Sequence, residues 1–222
     1  MRKATFALLA LLLFPALVRG GEKEAAYLRE KMIPLAQEFI KKVGLPCDSQ
    51  LGTNQIMKYK VDYFRDRPGC LAEMRLTDDY LFSFHTETNR TEIWEFIQLR
   101  VKTYYELDNV SKEKIEAVKA LNLKNKLNNK SALELAKKYF KLLGHKGQDF
   151  HPPEFRQSYW VGKNDVWGNL PYYEAVWYRK DSNMADVHSG IATIPQVTMT
   201  VSGIDSSLIS YSKGFMPVGS DF

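Results

Sequence analysis

The sequence predicts an α+β protein made of two tandem helix-plus-sheet units behind an N-terminal signal peptide. Three observations lead to this fold class: a basic start followed by an apolar run, a helical segment that recurs later in the chain, and alternating apolar segments after each copy. The predicted organisation is a signal peptide over residues 1–20, a first unit over 21–103, a polar, partly helical connector over 104–130 and a second unit over 131–222.

The first twenty residues have the pattern of a secretory signal peptide. Arg2 and Lys3 precede an apolar run from Ala4 to Val18, and the small residue Gly20 follows it. The run is about fifteen residues long, which is shorter than the roughly 20 residues that span a bilayer. An uncleaved anchor helix is the alternative interpretation. We expect cleavage after Gly20, a secreted or periplasmic mature protein, and no integral membrane span after cleavage.

Much of the excess positive charge lies in this predicted signal. The chain has 31 Lys and Arg against 26 Asp and Glu, and removal of Arg2, Lys3 and Arg19 leaves 28, a net charge of about +2. A mature chain that is nearly neutral and has no segregated basic face is not typical of a nucleic-acid-binding protein. We therefore expect no nucleic acid among its partners.

The chain has two cysteines, Cys47 and Cys70. In an exported protein an even count favours a disulfide, which here would close a loop of about 23 residues and contribute ~3 kcal/mol to stability. A reactive or metal-binding thiol pair is the alternative, but such sites usually have closer spacing. We predict a Cys47–Cys70 disulfide.

An internal repeat predicts one helix in each unit. Leu35–Gly44 aligns with Leu135–Gly144, and both have apolar residues at the spacings of three and four that mark one buried helical face. Each copy ends in a glycine that can adopt the left-handed conformation past a helix. Ser131 and Glu134 predict a capping box at the start of the second helix. Pro34 predicts a kink in the first helix, or a separate short helix before it.

Alternating apolar and polar residues predict four antiparallel strands after each helix. In the first unit the predicted strands are Ile56–Phe64, Leu71–Leu76, Tyr80–Thr86 and Ile93–Gln98. In the second unit they are Arg156–Val161, Tyr172–Arg179, Gln196–Ser202 and Leu208–Ser212. The connector, which is rich in Lys and Asn, contains a predicted short helix at Ser111–Leu121. A helix across the apolar face of each sheet would bury both amphipathic surfaces.

The end of the second unit has a recurring family pattern. It consists of the strand Ala175–Arg179, a loop through Ser189-Gly190 and the hairpin Val197–Tyr211, which contains Asp205. This arrangement resembles the PepSY-type unit of secreted bacterial proteins, in which a helix precedes an apolar strand and a hairpin with an Asp closes the sheet. Ser207 stands where that family usually has glycine.

The first unit resembles the same family through two strand segments. They are Leu81–Phe84 and Ile93–Phe96, so the resemblance covers about two thirds of the mature chain. The resemblance implies a cystatin-like layout and a regulatory or inhibitory binding module, as in the propeptides of thermolysin-like peptidases. It implies no catalytic residues. The Gln-x-Val-x-Gly loop of cystatin inhibitors is absent, since Gln196–Thr200 matches it only in the glutamine.

The sequence contains no recognisable catalytic or cofactor-binding pattern. His145, Asp149 and His151 are close together, but their spacing matches no standard zinc site. His188 follows Asp186 in a predicted loop, and no Gly-x-Ser-x-Gly elbow is present to expose a serine nucleophile. The glycines are too far apart for a phosphate-binding loop. We expect no catalytic residues, no metal and no cofactor.

Aromatic residues are concentrated in the second unit. The candidates for a partner or ligand surface are Trp160, Tyr173, Trp177 and Tyr178. On an extended strand Tyr173 and Trp177 share one face with Ala175, and Tyr178 lies on the other. One face is expected to pack on the helix, and the other to meet the first unit, another subunit or a ligand. Packing between the two units is the simplest interpretation.

Three functions remain open from the sequence. The leading hypothesis is an exported, non-enzymatic binding or regulatory protein that engages another protein, with proteases among the candidates, through a sheet face or edge. The second is a carrier of a small apolar molecule, held between helix and sheet and lined by Trp160, Tyr173 and Trp177. The third is a hydrolase whose activity depends on His188 or His145.

Overall fold

The computed structural model describes most of the chain after the predicted signal peptide. The described residues are 26, 28–46, 56–63, 70–76, 78–87, 90–101, 112–161, 166–181 and 193–217. Cys47 and His188 lie outside them, as do the predicted signal peptide and its cleavage point. Within these residues the fold is α+β, as the sequence predicts, with three α-helices and eight strands.

The eight strands form one antiparallel sheet. They are β1 (Ile56–Tyr63), β2 (Cys70–Leu76), β3 (Tyr80–Glu87), β4 (Arg90–Gln98), β5 (Glu154–Val161), β6 (Val166–Tyr178), β7 (Thr193–Ser202) and β8 (Leu208–Pro217). Their order in the sheet is β1-β2-β3-β4-β8-β7-β6-β5. Each half of the chain thus contributes a meander of four strands, and β1 and β5 are the outer strands of the described sheet.

The predicted strands are confirmed, but they do not form two separate sheets. β4 pairs with β8 through Phe96 opposite Tyr211 and the residues on either side of that pair, which joins the two meanders into one sheet. The pairing satisfies backbone groups that two separate sheets would leave exposed at their edges. β6 also begins at Val166, well before the predicted Tyr172, because Val166, Gly168 and Asn169 pair with β5.

The first helix, α1 (Ile33–Val43), follows a π-helical turn at Leu28–Met32. Pro34 lies in the first turn of α1, where its missing N–H removes no intrahelical hydrogen bond. The proline therefore lies at the start of α1, directly after the π-helical turn. The buried face of α1 comprises Ile33, Ala36, Phe39, Ile40 and Val43.

The helix α2 (Lys112–Asn122) confirms the helix predicted in the connector. Val118 of α2 is buried in a small core with Leu170, Tyr172 and Ile209. Tyr172 and its neighbour Tyr173 point to opposite faces of β6, and Tyr173 belongs to the main core. α2 therefore covers the face of the sheet opposite to α1.

The helix α3 (Asn129–Leu142) starts one turn earlier than the predicted capping box requires. Its N-cap is Asn128: the Ser131 N–H donates to Asn128 Oδ1 at 2.9 Å, and the Asn128 N–H donates to Ser131 Oγ at 3.0 Å. The predicted box between Ser131 and Glu134 is therefore wrong. Glu134 instead accepts a hydrogen bond from Lys137 at 2.8 Å on the exposed side of the helix.

The two copies of the repeated segment end in the same way, which confirms the predicted glycine positions. Gly44 has a φ of 72° and Gly144 a φ of 92°, both in the left-handed region. In each copy the residue after the glycine donates its N–H to the carbonyl five residues earlier, from Leu45 to Ile40 at 3.1 Å and from His145 to Phe140 at 3.2 Å.

Both halves share the main hydrophobic core. Phe39 of α1 contacts Phe82 and Phe96 of the first meander, with ring centroids 5.7 and 5.0 Å apart, and Tyr211 of the second at 5.8 Å. α1 therefore packs across the β4–β8 junction, and the halves are joined by side-chain packing as well as by the sheet. None of the described helices is long and apolar enough to cross a membrane.

Cys70 is buried at the start of β2. Its predicted partner Cys47 lies outside the described residues. The disulfide between them stays a prediction.

Candidate binding cleft

Two of the four predicted surface aromatics lie in the core. Tyr173 is 1% exposed and Trp177 is 4% exposed. The Trp177 ring stacks on Phe140 of α3 with centroids 4.4 Å apart. Both side chains are therefore core residues, and Tyr173 also lines the cleft described below. The partner or ligand surface at these positions stays a prediction. The carrier of a small apolar molecule stays a prediction.

The other two predicted surface aromatics are placed differently. Tyr178 is half-buried on the opposite face of β6. Burial raises the pKa of Tyr178, and the carboxylate of Glu154 adds to that effect. The side chain of Trp160 lies outside the described residues, although its backbone belongs to β5.

The histidines do not converge on a site in the described part of the chain. His145 Nε2 lies 3.1 Å from the Tyr211 hydroxyl, and its ring packs on Phe140. Burial, together with the charge of Lys213, lowers the pKa of His145 to about 4, so the ring is neutral near pH 7. No group of three or more His, Cys, Asp or Glu side chains within the described ranges is arranged to hold a metal ion.

The segment between α2 and α3 is fixed to the sheet by hydrogen bonds around Tyr173. The side-chain amide of Asn125 donates to the Tyr173 hydroxyl at 2.7 Å, and that hydroxyl donates to the Leu127 carbonyl at 2.7 Å. The Lys126 N–H donates to the Gly203 carbonyl at 2.8 Å. Tyr173 therefore has its ring in the core and its polar end under this segment.

Gly203 makes this attachment sterically possible. A Cβ at this position would overlap the side-chain amide of Asn125 and come 3.0 Å from the Tyr173 ring. Gly203 is buried, and its N–H donates to the Pro171 carbonyl at 2.7 Å. The glycine is needed here because the backbone approaches two side chains closely.

An open cleft of about 570 Å³ lies beside this attachment. Six of its nine described lining residues have side-chain amides, and none of the nine is Asp or Glu. The lining residues are Asn122, Asn125, Leu127, Asn128, Asn129, Lys130, Gln157, Asn169 and Tyr173. The cleft is therefore a hydrogen-bonding surface between the start of α3 and strands β5 and β6.

Part of this hydrogen-bonding capacity is used by the protein itself. Asn125 and Asn128 are engaged in the attachment and in the cap of α3, and Gln157 donates to the Leu170 carbonyl at 2.9 Å. Asn129 and Asn169 are exposed. Capacity therefore remains on both walls of the cleft.

The lining determines what the cleft can do chemically. A side-chain amide both donates and accepts hydrogen bonds but does not titrate near neutral pH. Among the described lining residues, Lys130 is the only one other than Tyr173 that can ionise. The cleft is equipped to bind a polar ligand, and its lining has neither a carboxylate nor a histidine to act as a general acid or base.

The cleft was not predicted from the sequence, although the connector is rich in asparagine. Asn122, Asn125 and Asn128 recur every three residues where α2 gives way to α3. That spacing is a signal for a polar surface, but Gln157 and Asn169 come from distant strands, and only the fold brings them alongside.

Comparisons of the chain with protein families, with curated proteins and with solved structures gave no match. The function is therefore argued from the geometry and chemistry of the cleft and the sheet.

Proposed function

We propose that the protein is an exported, non-enzymatic binding protein that engages another polypeptide at the β5 edge of its sheet. The observation that carries this proposal is the position of the cleft, which lies directly beside an outer strand. Gln157 belongs to β5 and also lines the cleft. A polypeptide that lies along β5 would therefore meet the amide-lined walls.

The outer position of β5 supports strand addition. β5 pairs with β6 on one side, and no other described strand pairs with it on the other. Such an edge presents backbone N–H and C=O groups that an extended segment of another chain can pair with.

Features of β5 also favour selective over indiscriminate pairing. The strand has exposed charges at Glu154 and Arg156, and Arg156 donates to Glu174 at 2.8 Å. The register of β5 against β6 shifts between Gln157 and Tyr159. Charges and bulges of this kind discourage edge-to-edge aggregation, so a partner has to fit the irregular strand.

We further propose that the two halves are tandem PepSY-like units with a cystatin-like layout. Support comes from the 100-residue offset of the repeated helical segments, from their matching glycine ends and from the four-stranded meander that follows each. The resemblance implies a regulatory or inhibitory role, with a protease as one class of partner. Export is supported by the predicted signal peptide over residues 1–20.

Site-specific photo-crosslinking in the native host tests the partner and its location together. A photoreactive residue is introduced at Arg156 on β5, and the matched control carries it at Lys119, an exposed position on α2. We expect a defined protein to be crosslinked from position 156 and not from position 119.

Two results would contradict the proposal. One is the same set of proteins crosslinked from both positions, which indicates non-selective contact. The other is the absence of any protein adduct from position 156 when the protein is folded and exported.

A further inference from the structure

We infer that the amide-lined cleft binds the main chain of the partner polypeptide, through hydrogen bonds between side-chain amides and peptide groups. This inference rests on the proposed function and names what the cleft recognises. It predicts that the contacts in the cleft tolerate many peptide sequences, because the main chain is common to all of them, while the irregular β5 edge selects among partners.

The side-chain amides of the cleft are chemically complementary to peptide groups. Each peptide group presents one N–H donor and one C=O acceptor, and each Asn or Gln side chain presents an NH₂ donor group and a carbonyl acceptor. A side-chain amide can therefore pair with a peptide group in both directions at once. Of the six amides among the described lining residues, those of Asn129 and Asn169 are exposed, one on each wall, and can pair with peptide groups in this way.

The charge of the lining also suits a peptide. Asp and Glu are absent from the part of the lining that the structure describes, and Lys130 contributes one exposed cation. A carboxylate in the lining would repel peptide carbonyl oxygens, whereas a lysine ammonium donates hydrogen bonds to them. The cleft therefore favours a ligand that is rich in carbonyl groups.

Two features of the cleft favour a peptide over a sugar, which also forms hydrogen bonds with side-chain amides. Tyr173, the aromatic residue of the lining, is 1% exposed and offers no open ring face on which a sugar could stack. Gln157 lies on β5, so the amides continue the edge along which an extended peptide would pair. Both observations favour a polypeptide over an oligosaccharide.

The wall of the cleft formed by the connector is preorganised. Asn125 and Asn128 are held by hydrogen bonds at 2.7 and 2.9 Å, so their positions are fixed before a ligand arrives. Asn122 Oδ1 is buried in the wall without a hydrogen-bond partner among the described residues. A fixed polar wall with unused capacity lowers the entropic cost of binding and leaves groups for a ligand to satisfy.

The experiment uses the full mature chain and a fluorescein-labelled pool of short, random-sequence peptides with acetylated and amidated ends. Binding is followed by fluorescence anisotropy. We expect saturable binding, and the double variant Asn129→Ala with Asn169→Ala should weaken it by about tenfold or more. The matched control is Gln148→Ala, which removes an exposed amide outside the cleft and should leave binding unchanged.

Three outcomes would overturn the inference. They are no binding of the peptide pool, equal weakening by Gln148→Ala, and displacement of the pool by neutral malto- or chito-oligosaccharides that themselves bind more tightly. If the protein crosslinked from position 156 binds the double variant as well as the wild type, the cleft inference fails while the proposed function stands. If no protein is crosslinked from that position, the proposed function itself fails.

Discussion

The two halves of the molecule end their repeated helices in the same way but differ at the next residue. Leu45 follows Gly44 and is 8% exposed, whereas His145 follows Gly144 and contacts the Tyr211 hydroxyl. Both positions donate the same backbone hydrogen bond. The comparison shows that the backbone requires the glycine and the turn after it, while the side chain that follows can be apolar or polar.

The halves also differ at the start of these helices. α1 begins with a π-helical turn and a proline and has no side-chain cap, whereas α3 begins with the Asn128 capping box. The segment that ends in Asn128 also forms one wall of the cleft. The polar site therefore belongs to the second half, at the point where the copies differ most.

The largest effect on the free energy of unfolding is expected from exchanging the residues at positions 45 and 145. The pKa of His145 falls from 6.5 to about 4 on folding. Between these two pH values the unfolded chain therefore binds a proton at this imidazole and the folded chain does not. The stability contributed by the neutral ring is complete above about pH 6.5 and is lost by about pH 4, a change of about 3 kcal/mol. His145→Leu should remove this part of the pH dependence of the free energy of unfolding, measured by urea titration at both ends of the range.

The reverse exchange is the control. Leu45→His should add a loss of stability in acid to the first half, because the new imidazole would be buried in the main core. An unchanged acid dependence in His145→Leu would show that other groups cause the loss.

A smaller effect is expected at Gly203. Gly203→Ala should force the Asn125 amide away from Tyr173 and cost about 1–3 kcal/mol, measured by chemical unfolding, because the new Cβ overlaps a packed polar group. Gly147→Ala is the control, since its Cβ would meet nothing within 4 Å and its φ is not positive. Equal effects at the two glycines would contradict the close attachment of the connector.

The smallest effect is expected at the start of α3. Asn128→Ala should cost about 1 kcal/mol in the free energy of unfolding, because the N–H of Ser131 loses its acceptor. Glu134→Ala should leave stability unchanged, since this exposed side chain pairs only with Lys137 in the structure. The opposite ranking would restore the capping box that the sequence predicts.

The strands and helices could be predicted because local pattern determines them. Alternation places Tyr173, Ala175 and Trp177 on one face of β6, and all three are buried there. Gly44 and Gly144 mark the helix ends because few other residues adopt their φ values.

The single sheet and the cleft could not be predicted, because both depend on distant contacts. Phe96 and Tyr211 carry no local signal that they pair across the junction of the two halves. Gln157 and Asn169 meet the connector only after β5, β6 and α3 have packed. The predicted capping box is wrong because Ser131 can be either the N-cap of a helix or its third residue. Only the structure shows that Asn128 is the N-cap and Ser131 the third residue.

Hydrogen exchange at the two outer strands tests the central claim most directly. The capped peptide pool is added to the mature protein, and amide protection is compared along β5 (Glu154–Val161) and β1 (Ile56–Tyr63). The account predicts increased protection in β5 and around Asn169, with β1 unchanged, because only β5 lies beside the cleft. Increased protection in β1 alone, or none in β5 at saturating peptide, would contradict it.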